Sequence, residues 1–235
     1  MRINKYLASA GIASRRKCEE LILNGDIKVN GKVVKELATE IADNDIVLYK
    51  NKPVVLNEEK VYYIFNKPKG CVTTSSDDRG RKTVLDYFED VPERLFCVGR
   101  LDYNTQGLLI LTNDGDFANE IMHPSKHISK TYLVEIKGKL NDEEIKKLQN
   151  GVEIDGKKTL PSLVKIVEEK ENKSFIEITI YEGRNRQVRK MFEAVNKLVI
   201  NLERIKIGNL TLNSIPRGSY KKVSYQIIKQ CLKEN

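Results

Sequence analysis

Four consecutive apolar residues, Leu108 to Leu111, stand between the polar stretch Gly99-Arg100-Leu101-Asp102-Tyr103-Asn104-Thr105-Gln106-Gly107 and the tetrad Thr112-Asn113-Asp114-Gly115. A run this short and this apolar reads as a buried strand, and Phe96 to Val98 reads as a second one. The polar stretch between them must then be a loop anchored on two strands. Asp102 lies in that loop beside Arg100. A carboxylate held at fixed depth and kept ionised by a nearby cation suits nucleophilic or general-base work. The spacing is also that of a structural turn in which Asp102 pairs with Arg100, as most loop carboxylates do.

A chain of 235 residues with 40% hydrophobic content can bury a real core and has room for more than one domain. Its 41 Lys and Arg against 33 Asp and Glu leave a net charge of +8, which favours a polyanionic partner, most simply nucleic acid. An anionic membrane surface would also attract that charge. However, the sequence offers no apolar run of spanning length, no signal-peptide core after Met1 and no lipidation motif. Cys18, Cys71, Cys97 and Cys231 are scattered without a Cys-x-x-Cys pair. They read as reduced thiols of a cytoplasmic protein, not as a zinc site or a disulfide framework.

From the N-terminus, Ile3 to Ala10 predicts a short helix stopped by Gly11. Ser14 is an N-cap for a second helix that carries Cys18, Leu21 and Ile22 on one face as far as Asn24-Gly25. Ile27 and Val29 then alternate with Asp26 and Lys28, Asn30-Gly31 predicts a type I′ turn, and Ile46 to Leu48 can return as a strand. Arg2 and Lys5, Arg15, Arg16 and Lys17, and Lys28 and Lys32 fall where a phosphate backbone could use them, or where a basic face would simply be solvated.

Lys50 to Pro53 reads as a linker, with the domain boundary near Asn57. Val61 to Phe65 predicts a strand ending in the turn Asn66-Lys67-Pro68-Lys69-Gly70, followed by a polar loop from Thr73 to Lys82. Asp116 can cap a helix from Phe117 to Met122 that Pro124 ends. His123 and His127 have helix-ligand spacing, yet Pro124 separates them and nothing nearby completes a metal site. Lys130 to Ile136 and Phe175 to Tyr181 alternate as strands. Gly151 to Lys157 imitates a phosphate loop, but Lys158 stands where a hydroxyl is needed and Asp155-Gly156 reads as a hairpin turn. Glu182-Gly183-Arg184-Asn185-Arg186-Gln187-Val188-Arg189-Lys190-Met191 packs four cations into a turn that enters a helix through Met191, Phe192 and Val195. Such a cluster is an RNA-phosphate or carboxylate clamp, or a solvated helix start.

Gly-Arg-Leu-Asp-x-x-Thr-x-Gly-Leu-Leu closed by Thr-Asn-Asp-Gly resembles the signature of the RsuA/RluB-type pseudouridine synthases, as does the later Gly-Arg-Asn-Arg-Gln-x-Arg string. Leu7-Ala8-x-Ala10-Gly11-x-x-Ser14-Arg15-Arg16, followed by Val29-Asn30-Gly31, is similar to the S4 RNA-binding domain. The resemblance implies an α+β chain, with an S4-type domain over 1–57 and a catalytic domain over 58–235 built on a mostly antiparallel mixed sheet flanked by helices. It implies Asp102 as the catalytic residue, Arg189 paired with it, Tyr132 against the target uracil and Leu202 as an apolar floor for the base. Arg100 would fill the vacated space or grip a phosphate. Lys67, Arg184 and Arg186 join the N-terminal cations as RNA contacts.

The implied activity is isomerisation of a uridine in ribosomal RNA to pseudouridine, with the large subunit favoured over the small. No metal or organic cofactor is implied. The expected partner is ribosomal RNA or a subunit precursor, met by a monomer. A non-catalytic RNA-binding assembly factor would need the basic face but not Asp102, Tyr132 and Arg189 together.

Overall fold

The computed structural model describes residues 1–56, 59–74 and 77–232, so the expected boundary at Asn57 lies outside the described residues. The chain divides into two compact units. One is Met1–Lys60 with Pro92–Arg94 and Asn113–Gly115; the other is Val61–Val91 with Leu95–Thr112 and Asp116–Asn235.

The first unit holds α1 (Ile3–Ser9), α2 (Arg15–Leu23), β1 (Ile27–Val29), β2 (Lys32–Val33), β3 (Val47–Tyr49) and β4 (Lys52–Pro53). Each helix presents an apolar pair one turn apart, Ile3 with Leu7 and Cys18 with Ile22, and these pack with Ile27 and Val47 into one small core. The Ser14 hydroxyl accepts a hydrogen bond from Lys17 N at 3.2 Å and caps α2 as expected. Gly11 and Gly25 adopt φ of 81° and 80° where the two helices end. Asn30 and Gly31, at φ 49° and 78°, make the left-handed turn that pairs β1 with β2. The sheet order is β2-β1-β3-β4. Lys50 to Pro53 is therefore no linker. Lys50 and Asn51 take φ of 48° and 63°, and this second left-handed turn folds Lys52 and Pro53 back onto Tyr49 and Leu48.

The chain continues with β5 (Tyr62–Lys67), β6 (Phe96–Val98), β7 (Gln106–Thr112), α3 (Gly115–Met122), β8 (Lys130–Lys137), α4 (Asp142–Asn150), β9 (Glu153–Ile154), β10 (Lys157–Lys158), β11 (Leu163–Glu169) and β12 (Lys173–Ile180). It ends with α5 (Gln187–Glu193), β13 (Val199–Ile207), β14 (Leu210–Thr211), β15 (Tyr220–Val223) and α6 (Tyr225–Leu232). The architecture is α+β, as expected. Its main sheet runs β11-β12-β8-β13-β7-β5-β15, with β14 on β13 and β6 on β7. The β13–β7 junction is parallel and the other junctions of this sheet are antiparallel. Asp155-Gly156 turns the β9–β10 hairpin, which disposes of the phosphate-loop imitation.

Alternation along β5 and β7 builds two cores. Tyr63, Phe65, Leu109 and Leu111 face one side with Met191 and Phe192 of α5; Tyr62, Ile64, Leu108 and Ile110 face the other with Phe117 of α3 and Ile228 of α6. These central strands are buried on both faces, so Tyr62 to Phe65 and Leu108 to Leu111 run without the polar alternation of a half-exposed strand. Among the described residues, no helix is long and apolar enough to cross a membrane.

At the far edge of the sheet, the Tyr220 ring stacks on Phe88 with centroids 4.2 Å apart, and its hydroxyl donates to the Asp90 carboxylate at 2.6 Å. That bond pushes the phenol up to about 12. A phenol raised in the fold contributes stability that is fully present below its unfolded value near 10 and is lost as pH rises toward 12. Tyr220→Phe keeps the stacking and should cost about 1 kcal/mol in urea unfolding at neutral pH. The gap to wild type should narrow as pH rises through that window.

Candidate active site

Residues 99–105 connect β6 to β7, whose antiparallel register sets Val98 opposite Ile110. The loop is held by its main chain. Thr73 Oγ1 donates to Leu101 O at 2.6 Å, Gly70 N to Tyr103 O at 3.0 Å, and Arg189 Nη2 to Asn104 O at 3.1 Å. Lys67 Nζ donates to Asp102 O at 3.2 Å and to Thr105 O at 2.9 Å, besides Pro68 O at 3.1 Å. Every carbonyl from Leu101 to Thr105 thus has a donor, and the loop cannot drift without breaking several bonds. The carboxylate of Asp102 forms no ion pair within 4.0 Å and no side-chain hydrogen bond among the described residues. It is half-buried and faces a cavity of about 800 Å³.

The strands explain which side chains meet there. β8 and β13 run antiparallel with Tyr132 opposite Arg204, so Leu202, two residues along β13, lies on the same face as Arg204. Tyr132 is 8% exposed and Leu202 4% exposed, and both line the cavity with Asp102. Arg100, exposed, lines it from the loop, and Arg184 and Arg186 line it from the turn that precedes α5. The structure therefore brings Asp102, Tyr132, Leu202, Arg100, Arg184 and Arg186 to one cavity, with cations around a partly apolar wall.

Three expectations change. Lys67 cannot touch RNA as it stands. It is 0% exposed, because β5 is buried on both faces and its ammonium is spent on the three carbonyls. Burial holds this lysine below its usual range, while the Asp102 charge pulls it back up. Arg189 does not form the expected ion pair with Asp102. Its two terminal nitrogens donate to Asn104 O and, at 3.3 Å, to Val199 O, so it grips the backbone of the Asp102 loop instead of the carboxylate. Burial and the neighbouring Arg186 push its guanidinium down, and Asp102 supports its charge from a distance. Arg184 has little left for phosphate, since it donates to Lys157 O at 2.8 Å, Lys158 O at 2.7 Å and Glu182 at 3.0 Å.

The N-terminal cations lie in the other unit. Arg2, Arg15, Arg16 and Lys32 are exposed, Lys5 is half-buried, and Lys28 Nζ donates to Asn51 Oδ1 at 3.0 Å. Sequence reasoning gave no role to Arg204, Thr105 or Lys158, which also line the cavity. A lone arginine amid Leu202, Ile205 and Ile207 was the available signal for the first.

Comparison with known proteins gives the family. A family model for RNA pseudouridylate synthase matches residues 61–194, and an S4-domain model matches residues 1–47. Ribosomal large subunit pseudouridine synthase B of Bacillus subtilis (strain 168) is 45% identical over 231 residues, 97% of this chain and 94% of the relative. An uncharacterized RNA pseudouridine synthase of Aquifex aeolicus (strain VF5) is 41% identical over 235 residues, 99% of this chain and 94% of the relative. A crystal structure of a pseudouridylate synthase superposes with a TM-score of 0.71 at 30% identity, covering 98% of this chain and 99% of that one. The chain belongs to the RNA pseudouridylate synthase family and carries an S4 domain at its N-terminal end.

Proposed function

We propose that this protein isomerises a uridine of large-subunit ribosomal RNA to pseudouridine, with Asp102 as the carboxylate that acts on the ribose. The observation that carries the reading is the Asp102 loop: its backbone is tied at every carbonyl while its carboxylate is left unpaired at the wall of a cavity that also holds Tyr132 and Leu202. The name of the Bacillus subtilis relative supports the choice of the large subunit.

In this reading the target nucleotide leaves the stack and its base enters the cavity against Tyr132, with Leu202 beneath it. Asp102 attacks C1′ or takes a ribose proton, and the N1–C1′ bond breaks. The uracil turns, C5 bonds to C1′, the C5 proton leaves and N1 takes one up. Holding the freed base beside C1′ is the work of the cavity wall. Arg100, exposed on the same loop, fills the space the nucleotide vacates or meets a phosphate. The test is to treat ribosomal RNA from a strain lacking the gene with carbodiimide and sequence it. One pseudouridine stop should vanish from large-subunit RNA and return on complementation; an unchanged pattern would overturn the reading.

Arg189 is a positioning residue here. Arg189→Lys keeps the charge but cannot hold Asn104 O and Val199 O in one plane. The single-turnover rate at saturating enzyme should fall about 10- to 100-fold, with RNA affinity nearly intact. A large affinity loss with an unchanged rate would instead make Arg189 a phosphate contact. Arg15 and Arg16, exposed in the first turn of α2, are proposed to meet RNA phosphates. Replacing both by Ala should weaken binding and flatten the log Kd against log salt slope by about 1 to 2.

A further inference from the structure

Arg204 is the buried charge that the mechanism above leaves unused. Its side chain is 3% exposed, it borders the Asp102 cavity, and its Nε donates to Leu108 O at 2.8 Å. Its Nη2 is buried with no hydrogen-bond partner. An unpaired buried donor is costly, and a guanidinium cannot escape that cost by losing its proton. A second such atom lies on the neighbouring segment. Thr105 Oγ1 is buried without a partner, Thr105 also borders the cavity, and the strand it leads into sets Gly107 beside Arg204. One orphan is a fixed donor and the other is a hydroxyl that can accept.

We propose that Arg204 and Thr105 read the edge of the flipped uracil, Arg204 Nη2 donating to a carbonyl oxygen of the base and Thr105 Oγ1 accepting from N3–H. The proposal rests on the cavity being the site of uridine isomerisation. Uracil presents an acceptor on each side of the N3–H donor, so its edge meets both orphans. Cytosine presents an amino donor in place of O4, which would set donor against guanidinium, and its unprotonated N3 would turn the Thr105 hydroxyl from acceptor to donor, so the discrimination falls on Arg204. The two atoms are shielded in the free protein, and a small opening of the wall over them, offset by pairing both orphans, admits the base edge.

The pattern also survives the reaction. Exchanging N1 for C5 at C1′ is a half-turn of the ring about the axis through N3 and C6. That turn swaps O2 with O4 and leaves N3–H where it was. One donor and one acceptor in the wall therefore find the same partners before and after the turn, and they hold the base while no covalent bond links it to the ribose. Neither residue exchanges a proton with the base.

The test is a set of single-turnover rates at saturating enzyme on an RNA fragment carrying the mapped target as uridine, 2-thiouridine or 4-thiouridine, since sulfur is a poor acceptor. Wild type should slow about 10-fold or more on at least one thio substrate. Arg204→Met should lose about 10- to 100-fold on uridine and then show the same rate on all three substrates. An Arg204→Met enzyme as sensitive to sulfur as wild type, or as fast as wild type on uridine, would overturn the proposal. Thr105→Val leaves the Leu108 bond intact and guards against a variant that fails to fold. It should be slower on uridine, and N3-methyluridine should slow wild type more than it slows Thr105→Val; equal slowing would count against the Thr105 role. Asp102→Asn, run alongside, separates the two levels. Full activity in Asp102→Asn would overturn the assignment of the site, whereas an inactive Asp102→Asn with sulfur-insensitive wild type would overturn the base-reading proposal alone.

Discussion

Asp102→Asn should lower pseudouridine formation by about four orders of magnitude, the scale on which removal of a catalytic carboxylate or nucleophile is felt. The amide has the size of the carboxylate but neither its charge nor its nucleophilic oxygen pair. Folding should be unaffected, because the loop is held through main-chain carbonyls and the Asp102 side chain carries none of those bonds. RNA affinity should change little for the same reason. The measurement is tritium release from C5-labelled RNA under single-turnover conditions, with binding followed separately by filter retention. A rate within a few-fold of wild type would remove Asp102 from the chemistry and leave the cavity as a binding pocket only.

Lys67→Met is the second large effect, and it falls on stability and activity together. Met fills the volume, but Thr105 O loses the ammonium donor inside the protein, and Asp102 O and Pro68 O keep only Thr105 N and Cys71 Sγ. Urea unfolding should show a loss of about 2–4 kcal/mol. The turnover rate should drop as the Asp102 loop gains freedom. The stability difference is also pH-dependent, with a sign that burial dictates. Because burial holds Lys67 in the fold below its ordinary value of 10.5, the unfolded chain binds more protons between the folded value and 10.5. Wild-type stability therefore gains from this group as pH rises through that interval, and the Met variant lacks the gain. A difference that shrinks with rising pH would mean that the ammonium is better accommodated in the fold than in water.

Local chemistry made some parts of this molecule legible. Ser14 before a helix, Asn30-Gly31 between alternating strands and the apolar run Leu108 to Leu111 each act within a few residues, so reading them needs no knowledge of the fold. Lys50-Asn51 is equally local, but its polar, Pro-flanked composition is shared by linkers and turns. Its left-handed φ values, not its composition, make it a turn. The capping box of α4, Asn141 with Glu144, is a local signal of the same kind. The site divides in the same way. Asp102 announces itself through its motif, whereas the partners of Lys67 and Arg189, and two of the three partners of Arg184, are carbonyl oxygens. Every residue has a carbonyl, so no pattern of side chains marks which ones an arginine or lysine will hold. For Lys67 the one clue is its position at the end of a strand whose every residue is buried.

The parallel junction between β7 and β13 divides the main sheet into two antiparallel ribbons, β15-β5-β7 on one side and β13-β8-β12-β11 on the other. It is narrow, with register pairs only at Glu203–Gln106 and Arg204–Gly107. It is also tight: a Cβ on Gly107 would stand 2.3 Å from Arg204 O. The seam joins residues nearly a hundred positions apart, farther than the β5–β7, β8–β12 or β8–β13 pairings, so closing it costs more loop entropy than any of those; β15 reaches back farther still to pair with β5. Folding should therefore pair β5 with β7 and zip β13-β8-β12-β11 before the seam and β15 are joined, and amide exchange near the seam should outpace exchange inside β5 or β12. Asp102 belongs to one ribbon, and Tyr132, Leu202 and Arg204 to the other. The cavity that Asp102 faces thus comes into being only when the seam closes, and a half-folded chain carries all the side chains of that cavity without bringing them together.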